Sequence, residues 1–263
     1  MGIEKTFNLS DEIMKVSDHI EKSTLQFDTV IVNFSEKTIL ELLKGDFISE
    51  ISDHVFKSAS NSYNVYKHNL IPNTAIFKSP IGAPSVIAFL EEITYAFSIK
   101  NIVLYGSAGV LQSDITAGKL IVPNKAFRDE GTSFHYEQSS DFIDVSNCEY
   151  VSNILDDLSI EYVQGAIWTT DAFYRETKEN FELRKKQGCI AVDMEISAVQ
   201  AFAKFRGLNL FAFVYSADNL DSSKWDKRIL GNLDINSRIK YFKIASEIAK
   251  NLLLEINKEK GIY

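Results

Sequence analysis

The feature that most constrains this chain is a strand–turn–helix–strand pattern between Gly188 and Leu220. Cys189–Val192 is a short apolar run of the length of a buried strand, and Leu210–Tyr215 is a second one. Between them, apolar side chains recur at helical spacing, at Ile196, Ala198, Val199, Phe202, Ala203 and Phe205. Gly207 follows the last of these, where a glycine commonly ends a helix. The pattern predicts a strand, a helix and a second strand of an α/β fold.

Acidic residues follow each of these two strands. Asp193, Met194 and Glu195 come at the carboxyl end of the first, and Asp218 lies just past the carboxyl end of the second. Because ligands of α/β sheets bind at the carboxyl ends of strands, we expect Glu195 and Asp218 to face one cleft. From the pattern alone, a helix-start acid and a turn acid are the commoner explanations of such residues.

The rest of the chain repeats the alternation of strands and helices. Further strands are predicted at Thr29–Val32, Asn101–Tyr105, Leu120–Pro123 and Tyr162–Trp168, and a hairpin at Ser62–Tyr66 and Thr74–Phe77. Helices are predicted from Ser35 to about Leu43 and at Val86–Phe97, Tyr150–Leu158, Lys178–Gln187 and Asp234–Lys258. This alternation favours an α/β fold in which a parallel or mixed sheet carries helices on both faces.

Composition narrows the class of protein and of ligand. With 263 residues, 45% of them hydrophobic, the chain suits one large domain over residues 1–263 with a polar lead-in at 1–28. A net charge of -8 argues against nucleic-acid polymers and anionic membranes, so we expect a small-molecule ligand. Two cysteines without zinc-type spacing, no signal peptide and no membrane-spanning run predict a cytoplasmic protein.

Two other stretches carry side chains suited to binding. Gly106-Ser107-Ala108-Gly109 follows a predicted buried strand, where small residues would let backbone N–H groups and a hydroxyl approach an anion or a sugar. Phe173 and Tyr174 follow Thr170-Asp171, and an aromatic ring there could stack on a flat ligand ring. Each has an ordinary structural explanation, as a glycine turn at a strand end and as core aromatics. The four histidines show no metal-ligand spacing, so no metal site is predicted.

In combination, these stretches resemble the nucleoside phosphorylase superfamily, which includes purine nucleoside phosphorylases, uridine phosphorylases and nucleosidases. The resemblance runs from about Val30 to Leu254. It rests on five motifs in family order: Ile81–Ser85, Gly106–Gly109, Arg128–Tyr136, Thr170–Tyr174, and Val192–Glu195 followed by Ser216–Asn219. The resemblance implies a three-layer α/β fold around a mixed, twisted central sheet with helices on both faces.

The resemblance also implies roles for individual residues. Glu195 matches the carboxylate that holds the ribose hydroxyls, and Met194 the thioether packed under the sugar. Asp218 matches the acid that assists a purine leaving group, which makes it the predicted catalytic residue. Phe173 matches the aromatic that packs on the base. The remaining predicted substrate-binding residues are Ser107, Gly82 and Asp193.

The activity implied is cleavage of the N-glycosidic bond of a ribonucleoside through an oxocarbenium-like ribosyl cation. Glu195 would fix the sugar while Asp218 neutralises charge on the departing base and a nucleophile attacks from the opposite face. No cofactor is expected, although inorganic phosphate would be the co-substrate of a phosphorylase. Because sites of the family borrow residues across subunits, a homo-oligomer, a dimer or a hexamer, is expected.

The chain departs from the family where phosphate would bind. Relatives carry Gly-Asp-Pro and an arginine after the first strand, where this chain has Asn33–Thr38, and an arginine where it has Leu104. The arginine that a neighbouring subunit would donate falls in the segment 58–63, which contains none. Binding a phosphate dianion without arginines is costly, and Lys37 or Lys57 could not bind it in the bidentate way. Water is therefore an alternative nucleophile, with Glu36 as a speculative base.

The identity of the base is also open. The loop Arg128–Tyr136 resembles the uridine phosphorylase branch, but Thr177 and Glu179 stand where that branch has its uracil-reading Gln and Arg. Asp218 favours a purine. The alternatives to a phosphorylase are a nucleoside hydrolase, a nucleoside-binding protein without catalysis, and a scaffold protein.

Overall fold

The computed structural model describes residues 2–57 and 62–261. The strands in chain order are β1 Thr29–Asn33, β2 Ile48–Lys57, β3 Ser62–His68, β4 Thr74–Lys78, β5 Asn101–Val110, β6 Leu120–Asp129, β7 Phe142–Asp144, β8 Tyr162–Thr170, β9 Cys189–Asp193 and β10 Asn209–Asn219. The α-helices are α1 Glu36–Lys44, α2 Ala83–Phe97, α3 Ser113–Thr116, α4 Cys148–Asp157, α5 Lys178–Lys186, α6 Ile196–Arg206 and α7 Ile235–Glu259. Short 3₁₀ helices lie at Ile3–Lys5, Val16–Asp18, Thr132–His135 and Phe173–Arg175.

The chain forms two compact units, and β5 and α2 contribute residues to both. Unit 1 contains residues 2–11, Ile81–Ile87 and Gly106–Leu233. Unit 2 contains Glu12–Pro80 with the gap at 58–61, Ala88–Tyr105 and residues 234–261. Most of the segment 58–63, where relatives donate an arginine, therefore lies outside the described residues. Organisation as one domain over residues 1–263 stays a prediction.

Unit 2 is built on strand β1, whose five residues are all buried. β1 pairs in parallel with β4 on one side and with the first half of β5 on the other. β3 runs antiparallel between β4 and β2. α1 begins at a Ser35 cap, whose hydroxyl oxygen accepts from Thr38 N, as a serine before an apolar-periodic run predicts. α7 packs against α1 and β1.

Unit 1 places the second half of β5, then β9, β8, β6 and β10 side by side, with β7 on β6. β8 is parallel to β6 and β9, whereas β9 is antiparallel to β5 and β10 is antiparallel to β6. α4 and α6 pack on β6 and β10, and α5 packs on β9. The predicted α/β fold with a mixed central sheet is therefore confirmed.

The structure corrects several predicted boundaries. Gly106–Gly109 is not a turn but the continuation of β5. The small residues serve close packing there, since a Cβ at Gly109 would lie 2.7 Å from Leu220 Cδ1 and 2.9 Å from Val192 Cγ1. Asp218 lies within β10 rather than past its end. Arg128 is the next-to-last residue of β6 rather than the start of a loop. The strand β2 is absent from the sequence prediction.

No helix among the described residues has the length and apolar character that a membrane crossing needs.

Unit 2 buries one histidine whose hydrogen bonds require the neutral ring. His68 Nδ1 accepts from the backbone N–H groups of Leu70 at 3.1 Å and Ile71 at 3.2 Å. Its Nε2 lies 3.1 Å from Ser246 Oγ, which itself donates to the Phe242 carbonyl. Nε2 is therefore the donor, and protonation of Nδ1 would remove the acceptor of two amides. Burial lowers the pKa of His68 to about 4.

We expect His68 to make the protein less stable in acid. Because the unfolded chain binds this proton with a pKa near 6.5 and the folded chain only near 4, the free energy of unfolding falls as the pH drops through that interval. The loss is on the order of 3 kcal/mol. Urea unfolding at pH 7 and at pH 4.5 should show a smaller acid loss in His68→Asn, whose side-chain oxygen can still accept. The exposed His135→Asn is the control, and an equal acid loss in all three proteins would contradict the assignment.

Candidate active site

Within unit 1, the site is organised by the junction of β9 and α6. The Asp193 carboxylate closes the start of the helix: its Oδ2 accepts from Glu195 N at 2.9 Å and Ile196 N at 2.7 Å. Its Oδ1 accepts from Thr169 Oγ1 at 2.7 Å. Burial raises the pKa of Asp193, and these three hydrogen bonds oppose the rise. With its oxygens engaged by the protein, Asp193 has the contacts of a helix cap, and its role in binding substrate stays a prediction.

A buried polar chain fixes the orientation of α6. Thr169 Oγ1 accepts from Ser197 N at 3.1 Å, and Ser197 Oγ donates to Glu130 Oε1 at 2.8 Å. Glu130 Oε2 in turn accepts from Ser133 N at 2.9 Å. Since each member has partners on another element, β8, α6 and the loop after β6 are held in one arrangement.

Glu195 is the second acid of this junction and is only 8% exposed. Its Oε1 accepts from the backbone N–H of Gly82 at 2.7 Å. Gly82 has a φ of +101°, which side chains rarely allow, so the glycine is needed for that amide to point at the carboxylate. Burial and the charge of Asp193 raise the pKa of Glu195, while the amides of Gly82 and Met194 lower it. Glu195 is thus a buried acid with fewer donors than Asp193, and its role in binding substrate stays a prediction.

Asp218 lies near the end of β10, and its two carboxyl oxygens have different neighbours. Its Oδ2 accepts from the indole Nε1 of Trp225 at 2.7 Å. Its Oδ1 lies beside Gly109, where a Cβ would approach it to 3.4 Å. Burial raises the pKa of Asp218, opposed by the Trp225 hydrogen bond and by the charge of Arg228.

One segment connects the surroundings of the two acids. Asp171, at its start, adds a negative charge that raises the pKa of Glu195. Glu176, at its end, has its pKa raised to about 7 by burial and by the charge of Asp218. The segment 171–176 therefore interacts electrostatically with both acids, and the convergence of Glu195 and Asp218 on one cleft stays a prediction.

The other predicted residues lie around these acids with different exposure. Met194 is half-buried between Asp193 and Glu195. Phe173 is exposed, and its ring centroid lies 4.2 Å from that of the still more exposed Tyr174. Ser107 is exposed on β5, two residues before Gly109. Their roles in binding substrate stay predictions.

Sequence reasoning missed three residues of this site. Thr169 lies one residue past the predicted strand Tyr162–Trp168. In the structure it belongs to β8, and its hydroxyl donates to Asp193. Glu176 and Trp225 lie in irregular segments without hydrophobic periodicity, so no pattern indicated them. The available signal was composition: a carboxylate two residues after an aromatic pair, and a tryptophan seven residues after a candidate acid.

In unit 2, polar groups of the loop after β1 form hydrogen bonds with one another and with α7. Ser35 N donates to Asn33 Oδ1 at 3.0 Å, and Arg238 of α7 donates to Ser35 Oγ at 2.6 Å and to Thr38 Oγ1 at 3.3 Å. The sequence reading did not associate Arg238 with this loop.

Three charged residues near this loop, Glu36, Lys37 and Lys57, are candidates from the sequence for the base or for phosphate binding. The Glu36 carboxylate pairs with Lys78 at 2.7 Å, so its suggested role as a base competes with an ion pair. Lys37 is exposed, and the Lys57 side chain lies outside the described part. Among the described residues, no group of three or more His, Cys, Asp or Glu side chains could hold a metal ion.

Comparison with known proteins places this geometry in a family. Residues 30–256 match the family model described as "Phosphorylase superfamily". The DeoD-type purine nucleoside phosphorylase of Aliivibrio fischeri is 27% identical over 143 residues, 53% of this chain and 60% of that protein. The corresponding enzyme of Buchnera aphidicola is 24% identical over 192 residues, 72% of this chain and 80% of that protein. The first of these matches thus spans less than two thirds of the relative.

Solved structures with the same fold include both phosphorylases and hydrolases by name. A uridine phosphorylase from Vibrio fischeri superposes with a TM-score of 0.62 at 25% identity over 88% of this chain and 90% of that chain. An AMP nucleosidase from Bacteroides thetaiotaomicron has a TM-score of 0.68 at 14% identity, covering 89% and 91%. A futalosine hydrolase mutant of Helicobacter pylori has a TM-score of 0.65 at 16% identity, covering 87% and 100%. The latter two likenesses concern the fold alone.

The different surroundings of the two junction acids predict opposite effects on stability. Asp193→Ala leaves two amides at the start of α6 and the Thr169 hydroxyl without their acceptor, and should lower the free energy of unfolding by about 1–3 kcal/mol. Glu195→Gln keeps an oxygen for Gly82 N and removes a buried charge, so stability at pH 8 should be equal or higher. Urea unfolding at pH 8 measures both. Equal losses in the two variants would contradict the division into a cap and a site acid.

Proposed function

The chain belongs to the phosphorylase superfamily, and from that premise we propose that it cleaves the N-glycosidic bond of a ribonucleoside, with purine nucleosides preferred. The observation that carries the proposal is the Glu195 carboxylate, buried at the β9–α6 junction and held by the Gly82 amide. Two vicinal hydroxyls of a ribose are donors that match a carboxylate, and they would supply the partners that a buried acid needs. Met194, half-buried beside it, would pack against the sugar ring.

Asp218 is the proposed general acid for the departing base. Its pKa is raised by burial, which favours the protonated form that a leaving purine requires at its ring nitrogen. Burial, and next the charge of Asp218, raise the pKa of Glu176 to about 7, so the two carboxyls repel each other when both are ionised. A pyrimidine does not take a proton at that nitrogen, so Asp218 supports the preference for a purine.

The chemical step follows from these positions. As the glycosidic bond lengthens, positive charge grows on the ribose and negative charge on the base. Glu195, fixed by Gly82, would hold the ribose while Asp218 delivers its proton to the base. Phe173, exposed on the same segment as Glu176, is available to pack on the base.

Base release from inosine, adenosine and uridine tests the proposal. We expect turnover of at least one purine nucleoside, a loss of kcat/KM of roughly a hundredfold or more in Glu195→Ala, and a loss of roughly 10²–10⁴ in Asp218→Asn. The matched control is Glu182→Gln, an exposed acid on α5, which should keep wild-type rates. Nucleoside binding by calorimetry with no base release from any of the three would instead indicate a binding protein.

Hydrolysis is the second candidate, and the loop after β1 favours it over phosphorolysis. The resemblance assigns phosphate binding to that loop, yet here Ser35 N, Thr38 N and Arg238 all donate within unit 2. Donors engaged by the protein itself bind a dianion less well.

The products distinguish the two nucleophiles. Hydrolysis gives free ribose in phosphate-free buffer and places ¹⁸O from labelled water in the sugar. Phosphorolysis gives ribose 1-phosphate only when phosphate is present. We expect free ribose, and base release that depends strictly on phosphate would overturn the hydrolase assignment.

A further inference from the structure

The chain just after Asp218 folds back on the end of β10; residues 219–229 are called here the return segment. Asn219 and Asp226 exchange backbone hydrogen bonds of 2.8 and 3.1 Å. Further along, Ile229 N donates to the Ala217 carbonyl at 3.0 Å. The return segment is therefore fastened to β10 just after Trp225, at Asp226 and Ile229.

A second set of contacts fastens the return segment to the rest of unit 1. Leu220 N donates to the Val110 carbonyl of β5 at 3.0 Å. Asp221 Oδ2 accepts from the backbone and the hydroxyl of Ser113 at 3.0 and 3.1 Å, and its Oδ1 pairs with Lys185 at 2.5 Å. The hydrogen bonds lower the pKa of Asp221 against the effect of its burial.

Trp225 lies in the return segment that these contacts hold in place. Its side chain is 59% exposed, yet its indole N–H donates to Asp218 Oδ2 at 2.7 Å. The other tryptophan, Trp168, is 1% exposed and donates to Asp129, the exposed last residue of β6. A largely exposed indole gains little from burial of its ring, so packing does not account for its place, whereas the bond to a partly buried acid does.

The other charged groups that act on this carboxyl lie on three sides. Arg228, from the return segment, lowers the pKa of Asp218, and Asp226 of the same segment raises it. Glu176, from the segment after β8, interacts with Asp218 as a like charge. The backbone amide of Asp218 itself also lowers this pKa by a hydrogen bond. The indole N–H is the side-chain donor, and it contacts Oδ2.

We propose that Trp225 is a positioning residue, whose indole N–H holds Asp218 Oδ2 and so confines the acid proton of Asp218 to Oδ1. The inference rests on the proposed function, in which Asp218 protonates the departing base. A carboxyl oxygen that carries a proton is a weaker acceptor than the carbonyl oxygen, so the indole N–H favours the form in which Oδ2 is the carbonyl oxygen. The proton is therefore carried on Oδ1, the oxygen that lies beside Gly109.

Kinetics of Trp225→Phe test the proposal, since phenylalanine keeps a ring and loses the donor. With the proton no longer confined, kcat should fall roughly tenfold or more while KM changes less than about threefold. The loss of the donor also raises the pKa of Asp218, so the limb in which activity falls with rising pH should move to higher pH. A slower enzyme whose alkaline limb moves upward is not expected from structural damage alone. Lys224→Ala, the exposed neighbour, is the control and should change neither quantity.

Fluorescence tests the contact without any substrate. In Trp168→Phe, Trp225 is the sole tryptophan, and its emission should titrate with the Asp218 carboxyl. The same titration should be absent in Trp168→Phe/Asp218→Asn. If Trp168→Phe does not fold, the acrylamide-accessible emission of the wild type reports Trp225 instead, because Trp168 is buried.

The outcomes separate this inference from the proposed function. Base release by the wild type with an unchanged kcat and pH profile in Trp225→Phe would overturn the role of Trp225 and leave the proposed function standing. No base release from any nucleoside, together with emission that titrates, would overturn the proposed function while the contact between Trp225 and Asp218 stands. Emission that is the same with and without Asp218 would overturn the contact itself.

Discussion

The burial of two carboxylates two residues apart is the constraint on which the site depends. A buried carboxylate is costly unless donors surround it, and two neighbouring ones also repel each other. The structure meets the cost unequally: Asp193 receives two helix amides and the Thr169 hydroxyl, whereas the side chain of Glu195 is held by the Gly82 amide. The more fully satisfied acid fixes the β9–α6 junction, and the less satisfied one is the acid to which the proposed function assigns the ribose.

The sequence predicted the elements around this junction because their signals are local. The apolar run of β9, the helical spacing of α6 and Gly207 at the end of the helix each depend on neighbours in sequence. The continuation of β5 through Gly106–Gly109 could not be predicted in this way. A run of small residues looks like a turn, and only the nearness of Val192 and Leu220 shows why a strand there needs glycine.

Contacts made by irregular segments escaped the sequence for a related reason. Trp225 reaches Asp218 because the chain reverses between Asn219 and Asp226, and no periodicity marks that reversal. Arg238 meets Ser35 across 203 positions of sequence, a pairing that no spacing argument reaches. Glu195 and Asp218 were selected for their positions near strand ends, because ligands of α/β sheets bind there, and their convergence on one cleft stays a prediction. The resemblance to a family supplied their roles, which the residues alone left open.

The two site acids are both pushed toward their neutral forms, but for different purposes under the proposed function. Asp218 has a tryptophan donor and an arginine charge that oppose its burial, so its proton is held less firmly and can be given to a leaving base. Glu195 is raised by burial and by Asp193, and it must be ionised to accept two ribose hydroxyls. A ribose that donates to this carboxylate stabilises the charged form and lowers its pKa. Under the proposed function, binding of the sugar and loss of a proton from Glu195 would therefore be one coupled event, and sugar binding would weaken as the pH falls and the protonated form of Glu195 becomes more populated.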